Sequence, residues 1–220
     1  MSRYRGPRLR VVRRLGELPG LTQKTPQKQA PPGQHGPTTK KPTQYGVRLM
    51  EKQKLRYNYG VTEHQLINYV KKARYVAINS SSQLLEPAML ELGWRMKGST
   101  GEILLQLLEM RLDSIVFRLG LAPTMSAARQ IVCHGHITVN GRRVDIPSYS
   151  CKPGESVGVH SHKQSKALVA SWADTSSRPT PSHLSKGQEN GDAQITSIVN
   201  RSDVALTINE LLIIEYYSRK

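Results

Sequence analysis

RQIVCHGHITVNGRR, residues 129–143, changes its period halfway along, and that change decides the fold class. Upstream, Thr124 is placed to cap a helix, TMSAARQIVCHG, in which Ala128, Ile131 and Val132 share a face and Gly135 supplies the residue that ends it. Downstream, Ile137 and Val139 alternate with His136 and Thr138. Asn140-Gly141 is the two-residue turn that a tight hairpin favours, and Val144 and Ile146 start the return. A helix running directly into an antiparallel hairpin predicts an α+β chain.

The same stretch carries polar chemistry that admits three readings. Cys133 and His134 are no nucleophile–base pair, because neighbours on a helix project about 100° apart. His134 and His136 flank a glycine as some metal ligands do, yet no further Cys, His and Asp cluster lies nearby to complete a tetrahedral set, with His160 and His162 the further candidates. The expectation is therefore no catalytic residue, no metal and no cofactor, with Cys133 a small core residue after Ile131 and Val132. The third reading uses all the pieces: Arg129, Gln130, His134, His136, Asn140, Arg142 and Arg143 lie along one rim, suited to phosphates and 2′-hydroxyls. A solvated charged face is the competing reading.

Charge favours the former. Thirty-two Lys and Arg stand against sixteen Asp and Glu, a net of +16, which points to a polyanionic partner, nucleic acid before membrane. Residues 1–56 carry +12 of that total, with Glu17 and Glu51 their only acids. Two cysteines, Cys133 and Cys151, are too few for a disulfide framework and fit a reducing compartment. No apolar run approaches the roughly 18 residues of a membrane span, and the Arg-rich start lacks the apolar core of a secretory signal.

Along the chain, residues 1–46 are expected to form a basic arm, its stretch 19–46 so dense in Pro, Gly, Gln and Thr that it should stay extended or disordered until bound. Residues 47–108 read as a helical domain. VRLMEKQKLRYNYG ends on Gly60, and Thr62 with Gln65 makes a capping box over which Val61 and Leu66 close as a staple. Residues 78–94 interrupt as a loop with about two helical turns. Ser99 and Glu102 form a second capping box, opening a long apolar pattern through Leu104, Leu108, Ile115 and Leu119 that should bend near Arg111. Residues 109–165 form the helix-hairpin domain, with a turn at Lys152-Pro153-Gly154 before the strand SVGV. Residues 166–200 read as a variable surface connection, and ALTINELLIIEYYS as a buried C-terminal strand, within 201–220, packing back on the helix-hairpin domain.

RLDSIVFRLGLAPTMSAARQIVCHGHITVNGRRVDIPSYSCKPGE, with its A-R-Q, H-x-H, V-N-G and I-P-S-Y elements, resembles the RNA-binding (alpha-L type) motif of the small-subunit ribosomal protein four family. SRYRGP, KQKLRYNYG-x-TE, KGSTGE-x-LLQLLE and INELL-x-x-E-YYSR are similar to the same family, in the form carried by plastids. The resemblance implies a primary rRNA-binding constituent of the small subunit, without enzymatic activity, that nucleates assembly of the subunit body. It also implies contact with protein five near the path of entering mRNA, a part in translational accuracy, and a plastid ribosome or else a bacterial cytoplasm as location. The family-like sequence starts at Ser2, which suggests no transit peptide. Residues 78–94 look like an insertion, and the cysteine-rich zinc knuckle of some bacterial members is missing, so zinc is not carried over.

On this reading the rRNA contacts fall on Arg3, Arg5, Arg8, Arg10, Arg13 and Arg14 of the arm, on Arg48, Lys52, Lys54 and Arg56, on Arg111 and Arg118, and on the seven rim residues, with Asp113, Gly135 and Gly141 shaping the turns. Two rivals remain. Arg111-Leu112-Asp113 is similar to the R-L-D motif of pseudouridine synthases, but an Asp inside a helical apolar pattern reads as an arginine's ion-pair partner or a helix cap, and nothing left over forms a catalytic domain. A free RNA-binding regulator or chaperone is the other.

Overall fold

The structure, a computed structural model, describes residues 4–28, 30–34, 36, 41–79, 98–173, 179–187 and 192–218. Arg3 and almost all of the 78–94 segment lie outside them. Its helices are α1 (Arg8–Leu15), α2 (Gln44–Tyr59), α3 (Glu63–Asn79), α4 (Thr100–Glu109), α5 (Leu112–Arg118), α6 (Met125–Cys133), α7 (Lys163–Ala173) and α8 (Glu210–Ser218). Its strands are β1 (Ile137–Val139), β2 (Arg142–Arg143), β3 (Ser156–Val159), β4 (Leu184–Lys186) and β5 (Ala193–Ile195). The strands make one sheet in the order β2-β1-β3-β5-β4, every pairing antiparallel.

Local chemistry sets most element ends. The Thr43 hydroxyl accepts from Gly46 N at 3.1 Å to start α2, and Gly60, left-handed at φ 60°, ends it. At α3 the expected box is reciprocal: Gln65 N donates to Thr62 Oγ1 at 3.3 Å and Thr62 N to Gln65 Oε1 at 3.2 Å, with Val61 and Leu66 buried as the staple. Ser99 and Glu102 do the same for α4.

The long apolar pattern breaks where Arg111 was expected to bend it. Met110 and Arg111 step out of the helix, and they and the start of α5 pair with the segment that follows the hairpin: Leu112 N donates to Tyr149 O (2.9 Å), Asp113 N to Pro147 O (3.2 Å) and Cys151 N to Met110 O (2.9 Å). These bonds tie the junction of the helical half and the helix-hairpin half to the segment after the hairpin. α3 packs on α4, α5 on α6, α7 on β3 and α1 on α2, around a continuous apolar core that includes Leu55, Leu66, Leu108, Ile115, Ile131, Ile137 and Val157.

Four expectations are corrected. The C-terminal segment is a helix, not a strand, and it packs on α2, α3 and α4 instead of the helix-hairpin half. The Asn209 side chain caps it by accepting from Leu211 N at 3.1 Å, and three surrounding helices give its apolar residues somewhere to go. The region 166–200 is more than a connection, since it continues α7 and adds β4 and β5 to the sheet, with Leu184 and Ile195 buried. The arm is not extended throughout: α1 buries Val12 and Leu15, Leu18 joins the core, and Gly20 N donates to Asn58 Oδ1 at 2.9 Å. Cys133 is exposed, because the apolar face of α6 is taken by Ala128, Ile131 and Val132, whereas Cys151 is the buried thiol.

Candidate nucleic-acid interface

The hairpin is built from the backbone outward. α6 ends in a six-to-one closure, His136 N donating to Ile131 O at 3.0 Å and Gly135 N to Val132 O at 2.8 Å, with Gly135 at φ 73°. Asn140 at φ 50° and Gly141 at φ 76° then give both central positions of the turn the left-handed backbone that matches the twist of paired strands. The Asn140 carboxamide is used internally, its Oδ1 accepting from Ser156 N at 2.9 Å, so it fastens the turn to β3. Immediately beyond, Arg142 and Arg143 stand exposed on the edge strand β2. The Arg143 guanidinium lies so close over Gly135 that a Cβ there would collide with it.

Histidines gather beside this edge. His136 Nδ1 is 2.9 Å from Ser165 Oγ of α7, the His134 and His136 rings are 6.0 Å apart, and His160 stacks on His162 at 4.6 Å. Burial, then the charges of His134, Arg143 and His160, hold the His136 imidazole below its ordinary pKa, which keeps it neutral near pH 7. Lys163 and Lys166 of α7 flank Ser165, two exposed cations that sequence reasoning missed because the Ser-, Gln- and Asn-rich stretch 160–200 showed only weak periodicity. Among the described residues no group of three or more His, Cys, Asp or Glu side chains is poised to hold a metal ion.

Ion pairing sorts the basic residues expected to meet RNA. Arg111 and Asp113, each 1% exposed, form a two-bond pair at 2.9 and 2.6 Å, and Arg111 Nη1 also donates to Tyr69 Oη at 2.6 Å. Burial alone would lower the Arg111 pKa; the Asp113 carboxylate more than offsets it, so the net shift is upward and the cation is fixed. Arg118 pairs with buried Glu109, which also accepts from Tyr59 Oη at 2.5 Å. Lys52 is buried against Glu63 at 2.9 Å and over the Tyr216 ring. Arg111, Arg118 and Lys52 are therefore internal groups in place of surface contacts, because each is paired with a carboxylate inside the fold. Arg48 reaches Glu215 at 2.6 Å and Lys54 reaches Glu51 at 2.6 Å, at the surface. Arg5, Arg8, Arg10, Arg13, Arg14, Arg56, Arg142 and Arg143 have no acid within 4 Å among the described residues. Arg13 donates to Ala30 O at 2.9 Å. Exposed Gln130 and half-buried Arg129 complete the α6 surface.

Three of the expected residues, far apart in sequence, meet in one cleft. Arg8 of α1, Arg56 of α2 and Arg129 of α6 line a small cleft of about 70 Å³, and no acidic side chain lines it. Arg8 is held in place by bonds to Ser126 Oγ (2.9 Å) and Leu21 O (3.4 Å). Two tyrosines that the sequence reading passed over complete it. The rings of Tyr4 and Tyr57 meet at 5.3 Å, nearly perpendicular, and the Arg56 guanidinium lies 5.5 Å from the Tyr57 centroid. The signal was present as Arg-Tyr-Arg at residues 3–5 and Arg-Tyr at 56–57, aromatics interleaved with cations.

Asp113, the one residue that suggested modification chemistry, is locked on Arg111 in the interior. No helix among the described residues is long and apolar enough to cross a membrane.

Comparison with known proteins follows the same division of the chain. Residues 3–109 match the family model described as ribosomal protein S4/S9 N-terminal domain, and residues 110–157 match the S4 domain, so the boundary falls on the break before Arg111. Over its full length, and over the full length of each relative, the chain is 53% identical to small ribosomal subunit protein uS4c of Nephroselmis olivacea. On the same terms it is 54% identical to uS4 of Synechocystis sp. and 55% identical to uS4 of Rippkaea orientalis.

Proposed function

The chain belongs to the ribosomal protein S4 family, and from that premise we propose that it is a primary rRNA-binding constituent of the small ribosomal subunit that performs no chemistry. The carrying observation is the sorting of its cations. Basic side chains with acid partners support the fold, while Arg142 and Arg143 on the hairpin and Arg8 and Arg56 in the cleft are left facing outward on rigid elements. Guanidinium groups fixed in this way grip a phosphate backbone by shape and charge. A preformed surface of this kind suits a protein that binds early and nucleates folding of the subunit body.

Contact with protein five beside the path of entering mRNA, and through it a part in translational accuracy, belongs to the same proposal. So does residence on plastid ribosomes, which the relative from Nephroselmis olivacea supports; the cyanobacterial relatives support a bacterial cytoplasm equally well. Co-sedimentation tests the whole reading. One copy per small subunit, retained through moderate salt, is the expected result. A soluble, substoichiometric pool would instead identify a free RNA-binding regulator.

A further inference from the structure

We infer that the cleft between α1, α2 and α6 is a receptor for a single unpaired nucleotide, its base held on the Tyr4 and Tyr57–Arg56 surfaces and its phosphate on Arg8 and Arg129; this rests on the RNA-binding reading above.

Three observations carry it. First, the lining combines three cations with no acid, which selects an anion, and its enclosed space of about 70 Å³ takes a phosphate group while leaving the base to lie over the tyrosine rim, whereas an A-form backbone needs only an open ridge of positive charge. Second, the aromatic component is unusual for a phosphate site. Tyr4 is 44% exposed, so its ring offers an open face at the rim, and the Arg56 guanidinium layered near Tyr57 supplies a second planar surface. Aromatic rings and guanidinium planes are the groups on which extruded bases stack. Third, the cleft is preorganised. Its walls come from three helices, Arg8 is anchored by Ser126 and the Leu21 carbonyl, and the chain turns tightly around Gly20, where a Cβ would collide with the Asn58 carbonyl.

Stacking and phosphate contact respond differently to salt, which separates the parts. A ring that stacks releases no counterions, so its removal lowers affinity without changing the logarithmic salt slope; removal of a phosphate-bound arginine lowers both. Tyr4→Ala is the decisive variant, since Tyr4 lies at the rim, where its hydroxyl donates to the nearby Pro7 carbonyl at 3.3 Å. In full-length protein binding in vitro transcribed small-subunit rRNA, Tyr4→Ala is expected to weaken binding about tenfold with the salt slope unchanged. Tyr4→Phe, which keeps the ring, should bind as the wild type does. Arg8→Ala should lose affinity and about one unit of slope. Ultraviolet cross-linking of the wild-type complex should join an unpaired nucleotide to the peptide bearing Tyr4 or Tyr57.

Wild-type affinity in Tyr4→Ala, or cross-links from this cleft only to paired nucleotides, would overturn the proposal while leaving the RNA-binding reading intact. Failure of the wild type itself to prefer small-subunit rRNA over heparin would bring down that reading instead.

Discussion

Arg111 and Arg118 look, in sequence, like any other basic residues of a nucleic-acid-binding chain, and the fold uses both internally. What distinguishes them is the company of an acid embedded in an apolar helical pattern, Asp113 for one and Glu109 for the other. A carboxylate has no place in such a pattern without a cation, so the ion pair at Asp113 was legible as an alternative to catalysis, but the identity and burial of its partner were not. Asp113→Ala would strand a buried guanidinium. It is expected to cost about 3–5 kcal/mol in urea denaturation, and the double replacement Arg111→Met with Asp113→Leu should recover most of it, as neutral groups of similar size need no partner. A single-variant loss under about 1 kcal/mol would contradict the pair's structural role. Arg142 sits at the opposite extreme, exposed and without an acid nearby. Arg142→Ala should leave the denaturation midpoint unmoved while rRNA affinity falls and the logarithmic salt slope flattens by about one unit.

Elements with a chemical start and stop could be read from the chain, whereas those defined only by their neighbours could not. Thr62, Ser99, Thr124, Gly60 and the Asn140-Gly141 turn each carry their own backbone instruction, and the structure follows all five. β4 and β5 are three residues long, too short for an alternation to show, and exist because β3 offers an edge. α8 misleads for the opposite reason: its run of Leu, Ile and Tyr is apolar on every side, so no period emerges and Ile213-Ile214 suggests a strand. Two substitutions separate helix from strand. In a strand, residues 211 and 213 share a face; in a helix they point about 200° apart. Leu211 is 67% exposed and Ile213 is 0% exposed. Ile213→Ala is therefore expected to cost about 2–5 kcal/mol and Leu211→Ala close to nothing in thermal or urea unfolding; equal costs would restore the strand. At the hairpin, Gly141→Val places a β-branched residue at φ 76° and should lower both stability and rRNA affinity, unlike Arg142→Ala, which touches affinity alone.

Across the whole molecule, the helical half and the sheet meet at a buried histidine that no motif announced. His183 is 1% exposed, ahead of β4, with neither ring nitrogen hydrogen-bonded among the described residues. Burial depresses its pKa from 6.5; Glu109 and Asp203 pull it back up and Arg118 pushes it down again, leaving a net depression. Folded protein thus keeps His183 neutral at a pH where the unfolded chain binds a proton. Stability from this group is fully present above about pH 6.5 and is lost progressively as pH falls toward the folded-state value, because in that window the unfolded state holds more protons. His136 is depressed as well, so the wild type alone does not isolate the effect. His183→Phe does: it keeps an aromatic ring in the same interior position and removes the titration. Urea denaturation at intervals from pH 7.5 to pH 5 should show the wild type weakening through this window more steeply than His183→Phe, with the two differing least at the alkaline end in slope. Parallel pH profiles would mean that His183 takes up a proton as readily in the folded interior as in water, and the junction between the two halves would then have to accommodate the charge.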